Sequence, residues 1–332
     1  MSFSRYGKQH KQTKFFELDT VGDDDPMAHV IAEFKYYIDR NTKGKKRRHS
    51  PKRAYELHPS SFPYCGLQHW FKIMKFGGVD EWQELDFNGD FYTSNGTTTH
   101  ELIQEWLGKG KKLVGNWTCK DKKCKGKRKF SVYKPCPKCD GEMAYHELGV
   151  KFGKFTTGHL DGLFFFEEDG KYYVIDYKTC GFEAMQKHLS GVEKIFPYSY
   201  NVAQIESYCY YLEKQYKIKI GGWMLVYLTR DAGFRKFAIE GKKFSGTYRQ
   251  KVRRKCKLSD KHFGIAIEKR KVSEIKTLIE EKPCDCKKTY MEEYHNKYEP
   301  CPLMNVCFNP MKLKSELKKV EKEFILKQKS GD

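Results

Sequence analysis

The sequence predicts an α/β fold, a central mixed sheet flanked by helices, with a cysteine-bearing insertion and a cysteine-bearing C-terminal segment. Three observations predict it. Two apolar runs in GHLDGLFFFEEDGKYYVIDYKTC (158–180) flank Asp169-Gly170, a dipeptide suited to a tight hairpin turn. SYNVAQIESYCYYLEKQY (199–216) reads as a helix, and GGWMLVYLT (221–229) as another strand.

In chain order, residues 1–27 read as irregular and AHVIAEFKYYIDR (28–40) as an amphipathic helix. KGKKRRHSPKR (43–53) reads as a basic linker, so residues 1–54 form an N-terminal segment. Ser61 suits a helix N-cap with Pro63 in the first turn, and Leu67, Trp70, Phe71 and Met74 repeat at helical spacing. TTTHELIQEWL (97–107) predicts a second helix. Residues 111–145 break the pattern with lysines and cysteines. Beyond the hairpin, helix and strand already described, FRKFAIE (234–240) reads as a strand and 242–282 as lysine-rich helices. The core is expected over 55–308, with the insertion at about 115–143, the cysteine segment at about 283–308 and a basic helix over 309–332. No internal repeat is visible.

Of 332 residues, 39% are hydrophobic and 15% aromatic, which predicts a folded chain rather than a disordered one. No run reaches the ~18 apolar residues of a membrane span, and MSFSRYGKQH lacks a signal-peptide core, so a cytoplasmic protein without membrane contact is expected. The net charge of +20 favours a polyanionic partner, DNA above all, because basic side chains displace counterions condensed on nucleic acid. A solvated lysine-rich surface from an AT-rich genome gives the same charge.

Twelve cysteines in a cytoplasmic chain point to metal rather than disulfides. Cys119-x4-Cys124 and Cys136-x2-Cys139, about a dozen residues apart, match a tetrahedral zinc ribbon. Around these cysteines, Lys122, Lys123, Lys125, Lys127, Arg128 and Lys129 carry enough charge to grip a phosphate backbone. The plainer alternative is a zinc-stabilised knob, solvated or docking a protein. Cys65, Cys284, Cys286, Cys301 and Cys307 form a second set, whose thiolates suit an iron–sulfur cluster or zinc. Cys180 and Cys209 read as small buried hydrophobes, and Cys256 is left over.

The chemistry-bearing run is Val174-Ile175-Asp176-Tyr177-Lys178. Residues two apart on a strand share a face, so Asp176 and Lys178 point together while Tyr177 points away and offers its carbonyl. Asp161, placed on the preceding strand of the hairpin, is brought alongside. Two carboxylates and a carbonyl suit Mg²⁺ or Mn²⁺. Such an ion lowers the pKa of a bound water, and Lys178 orients that water or stabilises developing charge. Alone, D-x-K is short and frequent; a surface hairpin presents it equally well. Here an apolar run ends in the charge, as where a buried strand emerges into a cleft.

Four motifs in order then resemble the PD-(D/E)XK nucleases of the RecB type, a branch that includes the AddB nuclease domain and CRISPR-associated exonucleases. They are His100 on a helix, Gly158-His159-Leu160-Asp161, Asp176-Tyr177-Lys178, and Gln204-Ile205-Glu206-Ser207-Tyr208, and the likeness spans about residues 58 to 307. It implies a restriction-endonuclease-like sheet, with His100, Asp161 and Asp176 as metal ligands and Lys178 catalytic. Gln204 and Tyr208 become active-site residues that position the substrate strand or Lys178. Glu147, just before the hairpin, is a weaker candidate support.

In the iron–sulfur members of that branch, one early cysteine joins three late ones spaced C-x2-C-x5-C to hold a 4Fe–4S cluster. Cys301 and Cys307 fit the C-x5-C half, with Cys65 as the early ligand. Tyr298 stands where the preceding cysteine belongs, so Cys284 or Cys286 completes the set and leaves one spare. The implied function is hydrolysis of DNA, as an exonuclease in recombination, replication or repair. No G-x-x-x-x-G-K-[ST] loop is present, so no ATP motor is expected, and a helicase or single-strand-binding protein is a candidate partner. Lysine richness and compactness fit a phage origin, which would place the protein in the host cytoplasm. The rival class is a non-catalytic nucleic-acid-binding or docking module built on the zinc ribbon and cluster.

Overall fold

The computed structural model describes residues 46–49, 55–56, 58–59, 65–76, 81–84, 87–109, 112–152, 156–229, 237–281 and 309–330, with backbone only at 46–49, 76, 81–84, 87–95, 109, 152, 156–157 and 199. The chain divides into two compact units, Met1–Arg47 with Trp82–Thr93, and Arg48–Glu81 with Ser94–Asp332. In the first, the described residues belong to a two-stranded sheet of β1 (Lys46–His49) and β2 (Glu81–Glu84) and to the start of a helix. Part of the expected basic linker is therefore a strand, made so by a partner more than thirty residues downstream that no local pattern announces. The expected helix at 28–40 and the Ser61–Pro63 cap lie outside the described residues.

The second unit carries the core. Helix α1 (Gly66–Phe76) buries Leu67, Trp70, Ile73 and Met74 on one face, each side chain contributing roughly 1.5–3 kcal/mol by leaving water. The expected Phe71 packs only partly against that core. Helix α2 (Phe87–Lys109) is longer than the expected 97–107, because asparagine, glycine and threonine in FNGDFYTSNGTTTH mask its first turns from a propensity reading.

Then follow β3 (Leu113–Cys119), β4 (Lys127–Ser131), β5 (Met143–His146), β6 (Leu148–Phe152), β7 (Thr156–Leu160), β8 (Gly162–Phe166) and β9 (Lys171–Cys180). Helices α3 (Phe182–Leu189) and α4 (Ser199–Tyr216) lead to β10 (Ile220–Thr229) and β11 (Phe237–Lys243). The unit ends in α5 (Gly246–Glu268), α6 (Lys276–Glu280) and α7 (Pro310–Ser330). Among the described residues no helix is long and apolar enough to cross a membrane.

Seven strands form one mixed sheet in the order β11-β10-β9-β8-β3-β4, with β5 also paired to β3. β9 and β10 run parallel, and the other pairs are antiparallel. The α/β class and the flanking helices are as expected. The β8–β9 hairpin is closed by the four residues Glu167–Gly170 rather than by Asp169-Gly170 alone, with Gly170 in the left-handed region at φ 63°.

Strand β3 belongs to two structures at once. Leu113 and Val114 pair with β8 in the core, whereas Asn116–Cys119 pair with β5 on that same side. The expected insertion therefore begins inside a core strand. Gly115 marks the changeover, where an added Cβ would lie 2.2 Å from the Tyr145 ring. Helix α7, expected beyond the core, buries Leu313, Leu317 and Phe324 in it and packs on α1.

Candidate functional site

Asp161 does not lie on the hairpin strand, as the sequence suggested. It occupies a bend between β7, which pairs with β6, and β8, which pairs with β9. The dipeptide Asp161-Gly162 is itself a turn signal, one that the sequence reading gave only to Asp169-Gly170. Register Leu148↔Leu160 sets Glu147, at the β5–β6 joint, opposite Asp161. Gln104 of α2 bridges the two joints: its Nε2 donates to Glu147 Oε1 at 2.8 Å and to the Asp161 carbonyl at 2.9 Å. Sequence reading missed Gln104. Its signal was its place four residues after His100, on the same helix face.

Asp176 and Lys178 share a face of β9, as expected, and their charges meet at 2.6 Å between Nζ and Oδ2. Asp176 is 1% exposed. Its Oδ1 accepts from Gln204 Nε2 at 3.4 Å. Asp161 is held by two groups: the Tyr177 N–H donates to Oδ2 at 2.8 Å, and His100 Nδ1 lies 3.3 Å from Oδ1. Tyr177 thus engages the site through its N–H, while its ring rests against His100 at 5.8 Å. The resemblance makes Tyr208 a residue that positions the substrate strand or Lys178. Its hydroxyl donates to the His159 carbonyl at 2.6 Å, fastening β7 just before the bend. Gly158, beside that bond, lets Pro59 pack close, since a Cβ there would sit 2.8 Å from the Pro59 ring.

The two carboxylates are driven apart in acidity. Burial and the charge of Asp161 push Asp176 up to about 7, against the opposing pull of Lys178. Burial alone would raise Asp161 too, but the hydrogen bond and charge of His100, with Lys178 and the Tyr177 N–H, bring it below the usual carboxylate range. His100 is raised because Asp161 outweighs the effect of its burial, and Lys178 is raised by Asp176 and Asp161 in the same way. Burial also raises Glu147.

Cys119, Cys124, Cys136 and Cys139 do come together, with all four sulfurs within 4.8 Å of one another. This set can hold a metal ion such as zinc. Among the described residues no other group of three or more His, Cys, Asp or Glu ligand atoms is drawn that close, so His100, Asp161 and Asp176 stand further apart than a closed coordination sphere. The cysteines sit on two matching turns. Cys119 N donates to Gly126 O at 2.8 Å and Cys136 N to Gly141 O at 2.9 Å, and the residues after Cys124 and Cys139, Lys125 and Asp140, are both left-handed. Sulfur pairs Cys119–Cys139 and Cys124–Cys136 lie at 3.5 Å, close to the ~3.8 Å edge of a tetrahedron with ~2.3 Å zinc–sulfur bonds. A Cβ on Gly126 would fill the space beside Cys136 Sγ at 2.2 Å. The Lys138 N–H, 3.5 Å from that sulfur, is the main cause that pulls Cys136 down to about 6. Trp117 and Met143 pack beneath the cluster.

Lys122, Lys123, Lys125, Lys127 and Lys129 are exposed around this cluster. Arg128 differs: half-buried on β4, it donates from Nε to Pro135 O at 3.0 Å, so part of its guanidinium braces the ribbon. Cys65, Cys180, Cys209 and Cys256 are buried in the core. Cys284, Cys286, Cys301 and Cys307 lie outside the described residues. No protein-family model matches the chain, and no curated protein matches it.

Proposed function

We propose that the chain is a divalent-metal-dependent deoxyribonuclease of the PD-(D/E)XK superfamily, RecB type, with a restriction-endonuclease-like core. The observation that supports it most is Asp176, a carboxylate 1% exposed and set between Lys178 and Gln204, with Asp161 and His100 alongside. Motif residues spread from position 100 to position 208 converge on one bend and one strand. Burying two carboxylates together costs stability, and such costs concentrate where chemistry needs them.

The donors fit a hard divalent ion. One imidazole and two carboxylates suit Mn²⁺ or Mg²⁺. His100 Nδ1 and Asp161 Oδ1, 3.3 Å apart, are near the ~3 Å between adjacent ligands of an octahedral ion with ~2.1 Å bonds. Asp176 Oδ2 is buried without an aligned hydrogen bond, facing the Lys178 ammonium. When bound, the ion lowers the pKa of a bound water and neutralises the scissile phosphate. Lys178 orients the attacking water and stabilises charge on the phosphate. Gln204 fixes Asp176, and Tyr208 fixes the strand that presents Asp161.

Zinc is the ion proposed for the four-cysteine ribbon, and its exposed lysines are proposed to hold the DNA backbone. A 4Fe–4S cluster on Cys65 with Cys301, Cys307 and either Cys284 or Cys286 accords with how the chain is anchored. Gly66 packs so closely on Leu278 of α6 that a Cβ would lie at 2.7 Å, and α6 ends four residues before Cys284. Helix α7, beginning three residues after Cys307, packs on the α1 helix that follows Cys65. The proposed role is exonuclease action in recombination, replication or repair, alongside a helicase or single-strand-binding protein.

The test is digestion of labelled linear and circular DNA with Mg²⁺ or Mn²⁺, against Asp161→Ala, Asp176→Ala and Lys178→Ala. Each variant should lose at least ~100-fold in rate while binding DNA in Ca²⁺. Lys178→Ala cutting at the wild-type rate would overturn the assignment. Wild-type protein that binds but never cuts would favour the docking module.

A further inference from the structure

Helix α4 carries more than Gln204 and Tyr208. Its second residue, Tyr200, lies one turn ahead of Gln204, about 6 Å along the axis and on the same face. Tyr200 is 46% exposed, in contrast to the aromatic column that backs it. That column starts in the core, where Phe196 and Tyr227 stack at 4.1 Å with planes 11° apart. Tyr198 stands edge-on to both, at 5.3 and 5.9 Å. Tyr200 then lies parallel to Tyr198, at 5.4 Å and 7°, the last ring of the column among the described residues.

The column is rigidly mounted. The Tyr227 hydroxyl accepts from the Tyr198 N–H at 3.1 Å and from Asn201 Nδ2 at 3.0 Å. Tyr227 also pairs with Lys178 across β10 and β9, which ties the column to the strand of Asp176. The column emerges beside the site, ending in a nearly parallel pair whose outer ring is about half exposed.

We propose that the half-exposed ring of Tyr200, backed by Tyr198, is a base-stacking platform for a single-stranded nucleic acid entering the Asp161–Asp176 site. Every nucleobase has a flat π-face and stacks on such a ring whatever its identity, whereas paired bases in a duplex have none free. The platform therefore selects single strands or frayed ends without selecting sequence. A chain with a net charge of +20 supplies the matching attraction for the backbone. This inference rests on the nuclease reading for its orientation towards cleavage, and its test is separable from that reading.

The experiment uses the full chain in Ca²⁺ with a single-stranded oligonucleotide carrying 2-aminopurine, and with the duplex of the same sequence. Wild type, Tyr200→Ala, Tyr200→Phe and Tyr200→Trp are compared for affinity and 2-aminopurine quenching. Tyr200→Ala should weaken single-strand binding by about 5- to 100-fold and relieve the quenching. Duplex affinity should change less than about twofold, and the Phe and Trp variants should retain both signals. Equal loss on single strand and duplex, or no loss on either, overturns the platform. Wild-type cleavage with an unaffected Tyr200→Ala rejects the platform and leaves the nuclease standing. Tyr200-dependent quenching without any cleavage does the reverse.

Discussion

The N–H of Tyr177 donates to Oδ2 of Asp161 across 2.8 Å, joining the bend between β7 and β8 to the middle of β9. Because the donor is backbone, this bond sets where Asp161 stands whatever the side chain at 177. His100 above all, with Lys178 and this N–H, leaves Asp161 ionised beside a buried Asp176, so the two carboxylates divide into one charged and one easily protonated group.

Stability should register that division. Asp176 is pushed up to about 7 in the folded chain, chiefly by burial, against ~3.9 when unfolded. Between these values the folded chain keeps a proton that the unfolded chain has released. The stabilisation is therefore complete below pH ~4, declines as pH rises, and is gone above about 7. Measured by urea unfolding without divalent ions, wild type should lose on the order of a few kcal/mol relative to Asp176→Asn across that window, and above it the offset should stay constant. A difference that stays flat from pH 4 to 8 would show that Asp176 ionises normally. At pH 8, Mn²⁺ should stabilise wild type more than Asp176→Asn, since it binds the folded site.

The course of the chain through this site was legible in part. Strand alternation placed Asp176 with Lys178, because it depends only on local geometry, whereas Gln204 was set at the site by the resemblance and not by the helical period. The bend at Asp161 was missed although Asp161-Gly162 is a turn dipeptide, because the pairing that turns the chain, to β6 before it and β9 after it, is not local. The double use of β3 was hidden for the same reason. Lysines and cysteines dominate 111–145, while the core pairing rests on Leu113 and Val114 alone. The cysteine turns were fully legible, since spacing fixes them.

Gln104 should matter to the site without touching substrate. It ties the Glu147 carboxylate to the Asp161 carbonyl and so holds the two joints together. Gln104→Ala should raise the Mn²⁺ concentration for half-maximal cleavage about 10- to 100-fold, the usual cost of removing a group that orients a ligand. Thermal unfolding of the metal-free variant should fall only modestly, by the ~1 kcal/mol of a typical hydrogen bond. An unchanged metal dependence would make the bridge merely structural.

Metal analysis should separate the two cysteine sets. Anaerobically purified protein is expected to contain about one zinc and about four iron atoms per chain. Cys139→Ser should lose zinc, keep iron and change Trp117 fluorescence, because Trp117 packs against Cys136 under the cluster. Cys65→Ser should lose iron and keep zinc. Colourless protein with about two zinc atoms would replace the cluster by a second zinc site.

The ribbon's lysines make the last prediction, and the structure changes which ones to alter. Lys127 and Lys129 project from one face of β4, with Lys122 and Lys123 exposed on the preceding turn. Arg128 alternates to the other face and bonds Pro135, so its replacement would disturb the ribbon as well as its charge. Lysines on an edge strand also discourage strand-to-strand aggregation, and that role alone would leave DNA binding untouched. Replacing Lys122, Lys123, Lys127 and Lys129 together by Gln should weaken DNA binding and lower the salt slope by up to ~0.9 for each phosphate no longer neutralised, at most ~3.6. Zinc content should stay at about one per chain, since no ligand is changed. Cleavage at saturating DNA should change little, because these side chains lie on the ribbon and supply affinity. Unaltered affinity and slope in the quadruple variant would assign the lysines to edge protection or protein docking, and would leave the Asp161–Asp176 chemistry unaffected.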